Sequence, residues 1–263
     1  MRIGIKQAVN GIGLFTAMLM VFIASSGIVL AQEGEAPSAS ADISFLSKYV
    51  WRGFEFSKDS IVVQPSATVG YKGFAMNLWG NLDTDMYGHD NHSQFNETDL
   101  TLSYDTSIGP VALGVGYIYY GLDGLDDSQE LYISASLDMI LAPALTIYRE
   151  IAHLPSWYVA LDIGHSFALP NDMSLDLAGT FSYYHSDDDD FSKADDPTEK
   201  YKAFHNGLIS VGMTIPFGEY YTVAPLIAYS FPLTDDADNL ITAGSFSEDS
   251  AFVYGGVTLS FSF

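Results

Sequence analysis

Carboxylate side chains recur at alternate positions along several segments of this chain, a spacing that puts them on one face of a β-strand. Carboxylates gathered in one enclosed space can transfer protons or attract cations. The carboxylates at predicted inward positions of this kind are Glu97, Asp99, Asp105, Glu130, Asp138, Glu150, Asp162 and Asp176. Glu150 and Asp162 are predicted on neighbouring strands, but the sequence assembles no further catalytic group around them. Attraction of cations is therefore the favoured chemistry.

Metal-binding patterns are weak. The segment DTDMYGHDNHSQ, which begins at Asp83, starts like a calcium loop. Tyr87 and Gln94 then occupy positions where such a loop needs an oxygen ligand and a glutamate, which excludes an EF-hand. His89 and His92 are three residues apart in a predicted loop, where the spacing alone is poor evidence for a ligand pair. We predict no metal site and no cofactor.

The acidic runs at residues 187 to 190 and 235 to 238 are interpreted as solvated loops that hold divalent cations loosely at most. An enzyme acting on membrane lipid would need a serine and a histidine together on the lipid face near the outer rim. His165 lies on an apolar face, but near the opposite end and without an evident serine partner. The sequence therefore predicts that the protein is not an enzyme.

Composition narrows the class of protein. The 263 residues include 33 acids and 10 bases, giving a net charge of −23, while aromatic residues reach 14%. An acidic disordered protein would lack these aromatic residues. Strong acidity argues against nucleic acid, which requires a basic surface. Without cysteine the chain has neither disulfides nor thiolate sites, and no residue to carry a lipoprotein anchor.

The first residues are predicted to be a targeting segment. Arg2 and Lys6 precede an apolar run that ends near Ala31, as in a cleaved secretory signal peptide. A membrane-anchoring helix is the alternative, because the run is about long enough to span a bilayer. We predict a signal peptide over residues 1 to 31, a flexible leader over 32 to 41 and a single domain over 42 to 263. Without residues 1 to 31 the chain keeps 8 bases and 33 acids, a net charge of −25.

That domain has the pattern of a transmembrane β-barrel. Apolar and polar residues alternate in about twelve segments of roughly ten residues. The connections between these segments alternate between short and long. We predict an all-β fold: a transmembrane antiparallel β-barrel of about 12 strands with short periplasmic turns and longer, acidic external loops. A soluble β-sandwich is the alternative, but it requires neither the loop alternation nor aromatic residues at the strand ends. Pro65 and Pro225 fall inside predicted strands, where we expect bulges.

The segment SKYVWRGFEFSKD, residues 47 to 59, concentrates scarce bases among aromatic residues. Period-two alternation predicts that Tyr49 and Trp51 face lipid, while Lys48 and Arg52 face the barrel interior as counter-charges to its carboxylates. Lys58 is predicted in the first external loop.

A family resemblance follows from these residues. The element formed by Tyr49, Trp51, Arg52 and Gly53, within residues 41 to 85, resembles the opening strands of the TorF-type putative porins of Gram-negative bacteria. The terminal Phe263 is similar to the C-terminal signal of bacterial outer-membrane proteins. The resemblance implies an outer-membrane barrel, lipid and lipopolysaccharide as neighbours, and recognition of Phe263 by the barrel-assembly machinery. It implies no particular substrate.

The predicted function is an outer-membrane channel for passive diffusion of small hydrophilic solutes, with cations favoured. Lys48 and Arg52 would stand beside the interior carboxylates at its constriction. One alternative is a non-conducting structural barrel whose acidic loops bind divalent cations or lipopolysaccharide. A lipid-modifying enzyme is the remaining alternative.

Overall fold

The computed structural model describes residues 36 to 88, 92 to 189 and 191 to 263, and the predicted signal peptide lies outside them. Twelve antiparallel strands close into a barrel, and two short strands form a separate hairpin. The strands are β1 (Ser38–Leu46), β2 (Val50–Trp51), β3 (Phe54–Glu55), β4 (Val62–Tyr71), β5 (Phe74–Asp83), β6 (Gln94–Ile108), β7 (Val111–Leu122), β8 (Ser128–Leu137), β9 (Ala144–Glu150), β10 (Ser156–Ala168), β11 (Ser174–Ser186), β12 (Lys202–Phe217), β13 (Tyr221–Pro232) and β14 (Phe252–Ser262). The predicted barrel and its strand number are confirmed.

Each barrel strand pairs with its neighbours in the sequence, and β1 pairs with β14 to close the ring. Ile43 of β1 lies opposite Leu259 of β14 on one side and opposite Pro65 of β4 on the other. Closure leaves no sheet edge with unpaired backbone groups, which is the condition for a β-structure in hydrocarbon.

The two ends of the barrel differ. Short turns at residues 72 to 73, 109 to 110, 138 to 143, 169 to 173 and 218 to 220 join the strands at one end, called the inner end below. Longer connections, including residues 84 to 93, 187 to 201 and 233 to 251, lie at the other, the outer end. Lys72 and Gly73 both have positive φ, as a two-residue type I′ hairpin turn requires. The predicted alternation of short and long connections is confirmed.

Apolar side chains cover the outer surface of the barrel. Ile133, Ile209 and Val253, on three different strands, are 58%, 55% and 64% exposed. Soluble proteins rarely expose so much contiguous apolar surface, so this belt is the surface that meets lipid. Among the described residues, no helix has the length and apolar character needed to cross a membrane.

The prediction of bulges at Pro65 and Pro225 is wrong. At each proline the pairing with one neighbouring strand is interrupted, but the register resumes unchanged. Proline removes one donor from the ladder without requiring an extra residue. Register shifts occur instead near Asn81, between β5 and β6, and near Phe181, between β11 and β12.

Two further boundaries differ from the sequence analysis. Strand β1 begins at Ser38, so the last four residues of the predicted leader, 38 to 41, belong to the barrel. The connection at 233 to 251 contains a helix, α1 (Asp235–Gly244), whose N-cap Thr234 accepts a hydrogen bond from the backbone of Ala237. Three of its acids lie in the first turn, where they complement the helix dipole.

Candidate functional site in the barrel interior

Residues 48 to 57, between β1 and β4, fold into the barrel instead of continuing its wall; we call them the plug hairpin. Strands β2 and β3 pair only with each other. Tyr49 and Trp51 are 5% and 1% exposed and lie inside the barrel. The prediction that these two rings face lipid is therefore wrong. Alternation assigned Trp51 correctly to a β-strand, but to the wrong sheet, and Tyr49 lies just before β2.

The turn of the plug hairpin explains its Arg-Gly sequence. Arg52 and Gly53 both have positive φ, 45° and 90°, between the paired residues Trp51 and Phe54. This is the backbone of a two-residue type I′ turn. A Cβ on Gly53 would come within 2.8 Å of Cδ1 of Ile241, so the turn also packs closely against α1.

Arg52 is the centre of the contacts between the plug hairpin and the wall. Its Nη1 and Nη2 donate to Oε1 and Oε2 of Glu130, both at 2.8 Å, and both side chains are 2% exposed. A parallel pair of this kind is the strongest geometry for an Arg–carboxylate contact. Because both charges are removed from water, the loss of either one leaves the other uncompensated.

Aromatic rings enclose the same guanidinium group. Its central carbon lies 4.1 Å from the ring centroid of Tyr158, 4.6 Å from that of Trp51 and 4.8 Å from that of Tyr148. Trp51 comes from the hairpin, whereas the two tyrosines come from the wall. The cation therefore joins plug and wall through cation–π contacts as well as through its ion pair.

His205, which the sequence analysis did not single out, holds the backbone of the turn. Its Nε2 donates to the carbonyl oxygen of Arg52 at 2.8 Å, which leaves Nδ1 to accept from the hydroxyl of Tyr201 at 2.7 Å. The side chain is buried on the inward face of β12. The only signal in the sequence was its place in the alternating pattern of β12, between Phe204 and Asn206, which is not distinctive.

Further contacts fasten the base of the plug hairpin. Lys48 forms an ion pair with Glu55 across the hairpin. The backbone N–H of Ser247 donates to Oε2 of Glu55 at 3.1 Å, which ties the hairpin to the connection after α1. The hydroxyl of Tyr49 donates to Oε2 of Glu97 on β6 at 2.9 Å. The plug hairpin is thus held in place mainly by side-chain contacts, and its strands do not pair with the barrel strands.

The predicted interior carboxylates have different surroundings. Glu97 and Asp99 are buried and point inward from β6 beside the plug hairpin. Glu150 accepts from the backbone N–H groups of Ala152 and His153, so it stabilises the following turn.

Three other predicted carboxylates lie towards the inner end. Asp162 accepts from the hydroxyl of Thr180, and Asp176 accepts from that of Thr214. Asp138 lies beyond the end of β8, in an exposed turn, and does not line the interior wall.

Glu150 and Asp162 lie on neighbouring strands, as predicted, but far apart along them. The two residues are on adjacent strands, but Asp162 lies opposite Ala144, at the start of β9, whereas Glu150 is its last residue. A separation of six residues along a strand is roughly 20 Å. The two carboxylates therefore cannot act together on one substrate.

The interior has two levels. At the outer level, side chains of the wall, the plug hairpin and α1 form one buried aromatic and aliphatic cluster. Its members around the wall include Val62, Trp79, Tyr120, Tyr158, Tyr184 and Phe252. At the inner level many inward side chains are small and polar. Thr101, Ser103 and Ser134 keep part of their surface exposed, whereas Asp176 is 1% exposed. The apolar packing of the interior is therefore concentrated at the outer level.

Charges in the wall are sorted by face. Every acidic residue of the twelve barrel strands, all of which the structure describes, occupies an inward position. They are Asp42, Asp83, Glu97, Asp99, Asp105, Glu130, Glu150, Asp162 and Asp176. The two basic residues of these strands, Arg149 and Lys202, occupy outward positions. The interior thus takes its positive charge from the plug hairpin, as Lys48 and Arg52.

Some residues considered in the sequence analysis do not belong to this site. His165 is on the outer surface near the inner end, where its Nδ1 donates to the carbonyl oxygen of Ile140 at 2.7 Å. Lys58, in the connection to β4 as predicted, has its Nζ 4.6 Å from the ring centroid of Tyr87. His89 lies outside the described residues, and among those described no three potential ligands are grouped to hold a metal ion.

Comparisons with known proteins agree with the fold. No family model matches the chain, and no curated protein matches it in sequence. A solved structure of the NanC porin is similar, with a TM-score of 0.54, 11% identity, and coverage of 84% of this chain and 98% of that one. At this identity the likeness establishes a porin-type barrel fold and nothing finer. The resemblance to the TorF-type family stays a prediction.

Two weaker likenesses are to other outer-membrane proteins. An outer-membrane channel from Pseudomonas putida F1 gives a TM-score of 0.45 at 10% identity, covering 86% of this chain and 94% of that one. The transport unit of the autotransporter AIDA-I from Escherichia coli gives 0.45 at 11%, covering 99% and 97%.

Proposed function

We propose that this protein is an outer-membrane channel for small hydrophilic solutes that favours cations, and that the plug hairpin closes it in the conformation described. The observation that carries the proposal is the sorting of charge in the barrel wall. A barrel that used ion pairs only to fill its interior would need bases on the inward face. Here nine carboxylates face inward and both bases of the wall face outward. Such an interior attracts cations and repels anions.

The attachment of the plug hairpin supports a channel that can open. Strands β2 and β3 share no strand pairing with the barrel, so their departure would leave all twelve wall strands paired. Departure would separate Arg52 from Glu130 and remove the aromatic rings of Trp51 and Phe54 from the lumen. It would also remove positive charge from the interior. The open lumen would therefore carry a more negative charge than the closed one, which favours cations.

Conductance in a planar bilayer tests the proposal. The comparison is between the intact chain and a variant in which residues 49 to 56 are replaced by a Gly-Ser linker of equal length. We expect rare openings of the intact chain and steady conductance of the variant, with reversal potentials in a salt gradient that indicate cation preference. Lys58→Gln, outside the replaced segment, is the control and should behave as the intact chain does. An anion-selective current from the variant would refute the cation preference.

A non-conducting structural barrel is the second candidate. The buried cluster at the outer level favours it, because packing of this kind resembles a protein core. The contact of Lys193 with Asp236, 3.1 Å between Nζ and Oδ2, also joins two outer connections over the barrel mouth. This candidate predicts no conductance even after replacement of the plug hairpin. Electrical silence of a folded replacement variant would thus reject the channel.

The cellular setting is part of the same proposal. The apolar belt and the closed fold suit the outer membrane of a Gram-negative bacterium, with lipid and lipopolysaccharide as neighbours and the barrel-assembly machinery recognising Phe263. Fractionation of the native host tests this: recovery in the inner membrane would contradict it. A folded barrel should also migrate faster on a gel before boiling than after it.

A further inference from the structure

Four side chains form a row across adjacent strands on the outer surface of the barrel, at its outer rim. Arg149 of β9 lies opposite Trp157 of β10, Trp157 opposite His185 of β11, and His185 opposite Lys202 of β12. Each alternates with a buried, inward-facing neighbour, so all four point away from the lumen. We call these four residues the rim row.

Elsewhere around the rim the outward positions are uncharged. Near the outer ends of other strands they are Phe45, Val63, Leu82, Phe95, Gln129, Phe231 and Val253. Positive charge on the lipid-facing rim is thus confined to one sector, in a chain whose net charge is −23. Since bases are scarce and the interior is acidic, their position outside the wall calls for an anionic partner there.

The depth of the rim row identifies the kind of partner. Two residues closer to the inner end, the outward positions carry Val159, Tyr183 and Phe204, and the last of these is 66% exposed. The rim row therefore lies at the border of the apolar belt nearest the outer end, where lipid headgroups lie. Tryptophan is enriched at this depth, and long basic side chains extend towards it from the edge of the hydrocarbon.

Donors of the rim row already converge on an anionic group. The carboxylate of Asp187, just after β11, accepts from Nη1 of Arg149 and, at 3.1 Å, from Nε1 of Trp157. Nε2 of His185 is 3.2 Å from the same carboxylate. The hydrogen bond from Arg149 lowers the pKa of Asp187 below its usual value, so this site holds a negative charge at neutral pH.

Other acids and a further base lie next to the rim row. Lys200 lies just before β12, and its Nζ is 2.9 Å from Asp189, which is 92% exposed. Asp188 adds a further carboxylate next to Asp187. Exposed ion pairs of this type are weak and exchange readily with other anions.

We propose that the rim row binds a phosphate group of a membrane-lipid headgroup in the leaflet at the outer rim, with the lipid's acyl chains against Tyr183 and Phe204. Arg149 and Lys202 supply charge, and Trp157 and His185 supply hydrogen bonds. Phosphate oxygens take the donors that Asp187 occupies in the lipid-free protein. The site is on the outside of the wall and does not depend on whether the channel opens.

Lipid binding to the full chain in detergent, measured by native mass spectrometry, tests the site. The probe is a diphosphorylated, acylated glucosamine disaccharide, compared with the same lipid after removal of its phosphates. Arg149→Gln with Lys202→Gln should weaken binding of the phosphorylated lipid about tenfold or more, since both positive charges that attract the headgroup are removed. Lys72→Gln, which removes a base at the inner end, should leave binding unchanged.

Two further variants keep the test decisive. Asp187→Asn should strengthen binding, because it removes the competing carboxylate, whereas a merely structural rim row would lose stability and gain no lipid. Arg149→Lys with Lys202→Arg keeps both charges and should retain binding even if the glutamine variant does not fold. Equal binding of the dephosphorylated lipid would overturn the proposal. Displacement of the lipid by an equal concentration of inorganic phosphate would overturn the assignment to a lipid.

Discussion

Arg52 and Glu130 form a bidentate ion pair inside the barrel, 78 residues apart in sequence, with both donor–acceptor distances at 2.8 Å. One partner belongs to the plug hairpin and the other to the wall, so the pair fixes the position of the hairpin. Glu130 also accepts from the hydroxyl of Tyr120 at 2.9 Å. The charges of Glu130 and Arg52 neutralise each other only while the plug hairpin stays inside the barrel.

Glu130→Gln tests the contribution of this pair to stability. The amide keeps the size of the side chain but leaves the guanidinium of Arg52 buried without a counter-charge, at a cost of about 3 to 5 kcal/mol. Urea unfolding of the reconstituted barrel, followed by tryptophan fluorescence, measures the loss. Lys200→Gln, which removes an exposed ion pair, should change little. Equal stability of Glu130→Gln and the unmodified chain would mean that the pair does not hold the plug hairpin.

Gly53→Ala tests the close packing of the hairpin turn against α1. A Cβ at Gly53 would meet Ile241, whereas Gly124, also at positive φ, has no atom within 4 Å of such a Cβ. Gly124→Ala should therefore cost only the backbone strain, about 1 kcal/mol. Gly53→Ala should cost that and roughly 1 to 3 kcal/mol more for the overpacked contact. Equal losses of stability for the two variants in thermal or urea unfolding would show that α1 shifts to accommodate the added methyl group without cost.

Alternation in the sequence was sufficient for the wall and insufficient for the plug hairpin. The inward positions of Glu97 and Asp162 follow from strand period alone, because each strand presents one face to the lumen. Tyr49 and Trp51 alternate in the same way, but their hairpin has no lipid-facing side. Local periodicity specifies the faces of a strand and not the sheet to which the strand belongs.

The contacts of the site depend on long-range pairing that no local pattern encodes. His205 meets the carbonyl of Arg52 across 153 residues of sequence. The helix α1, by contrast, had a readable signal: Thr234 followed by acids in the first turn is a typical helix start. The charge of this acidic run alone predicts a solvated loop; only together with the capping residue Thr234 does it indicate a helix.

His205→Ala tests whether the buried imidazole holds the turn of the plug hairpin. The change removes the donor to the carbonyl of Arg52 and the acceptor for Tyr201. Buried polar groups left without partners cost about 1 to 3 kcal/mol each, so unfolding should require clearly less urea. His165→Ala, on the outer surface near the inner end, is the matched control. If both variants lose the same stability, the interior hydrogen bonds of His205 contribute little.

The double substitution Asp162→Asn and Asp105→Asn tests the cation preference. It is made in the variant in which a Gly-Ser linker replaces residues 49 to 56. Both carboxylates lie on the inward face of the wall and keep part of their surface exposed, so they act on ions that enter the lumen. Removing two negative charges should lower the ratio of cation to anion permeability, measured from the reversal potential in a salt gradient.

Asp172→Asn is the control for this pair. It removes a charge from the exposed turn between β10 and β11, outside the wall. Asparagine also accepts the positive φ of 57° found there. It should leave the ratio unchanged. A ratio that responds to Asp172 as strongly as to the interior pair would trace selectivity to surface charge at the mouth instead of the carboxylate-lined wall.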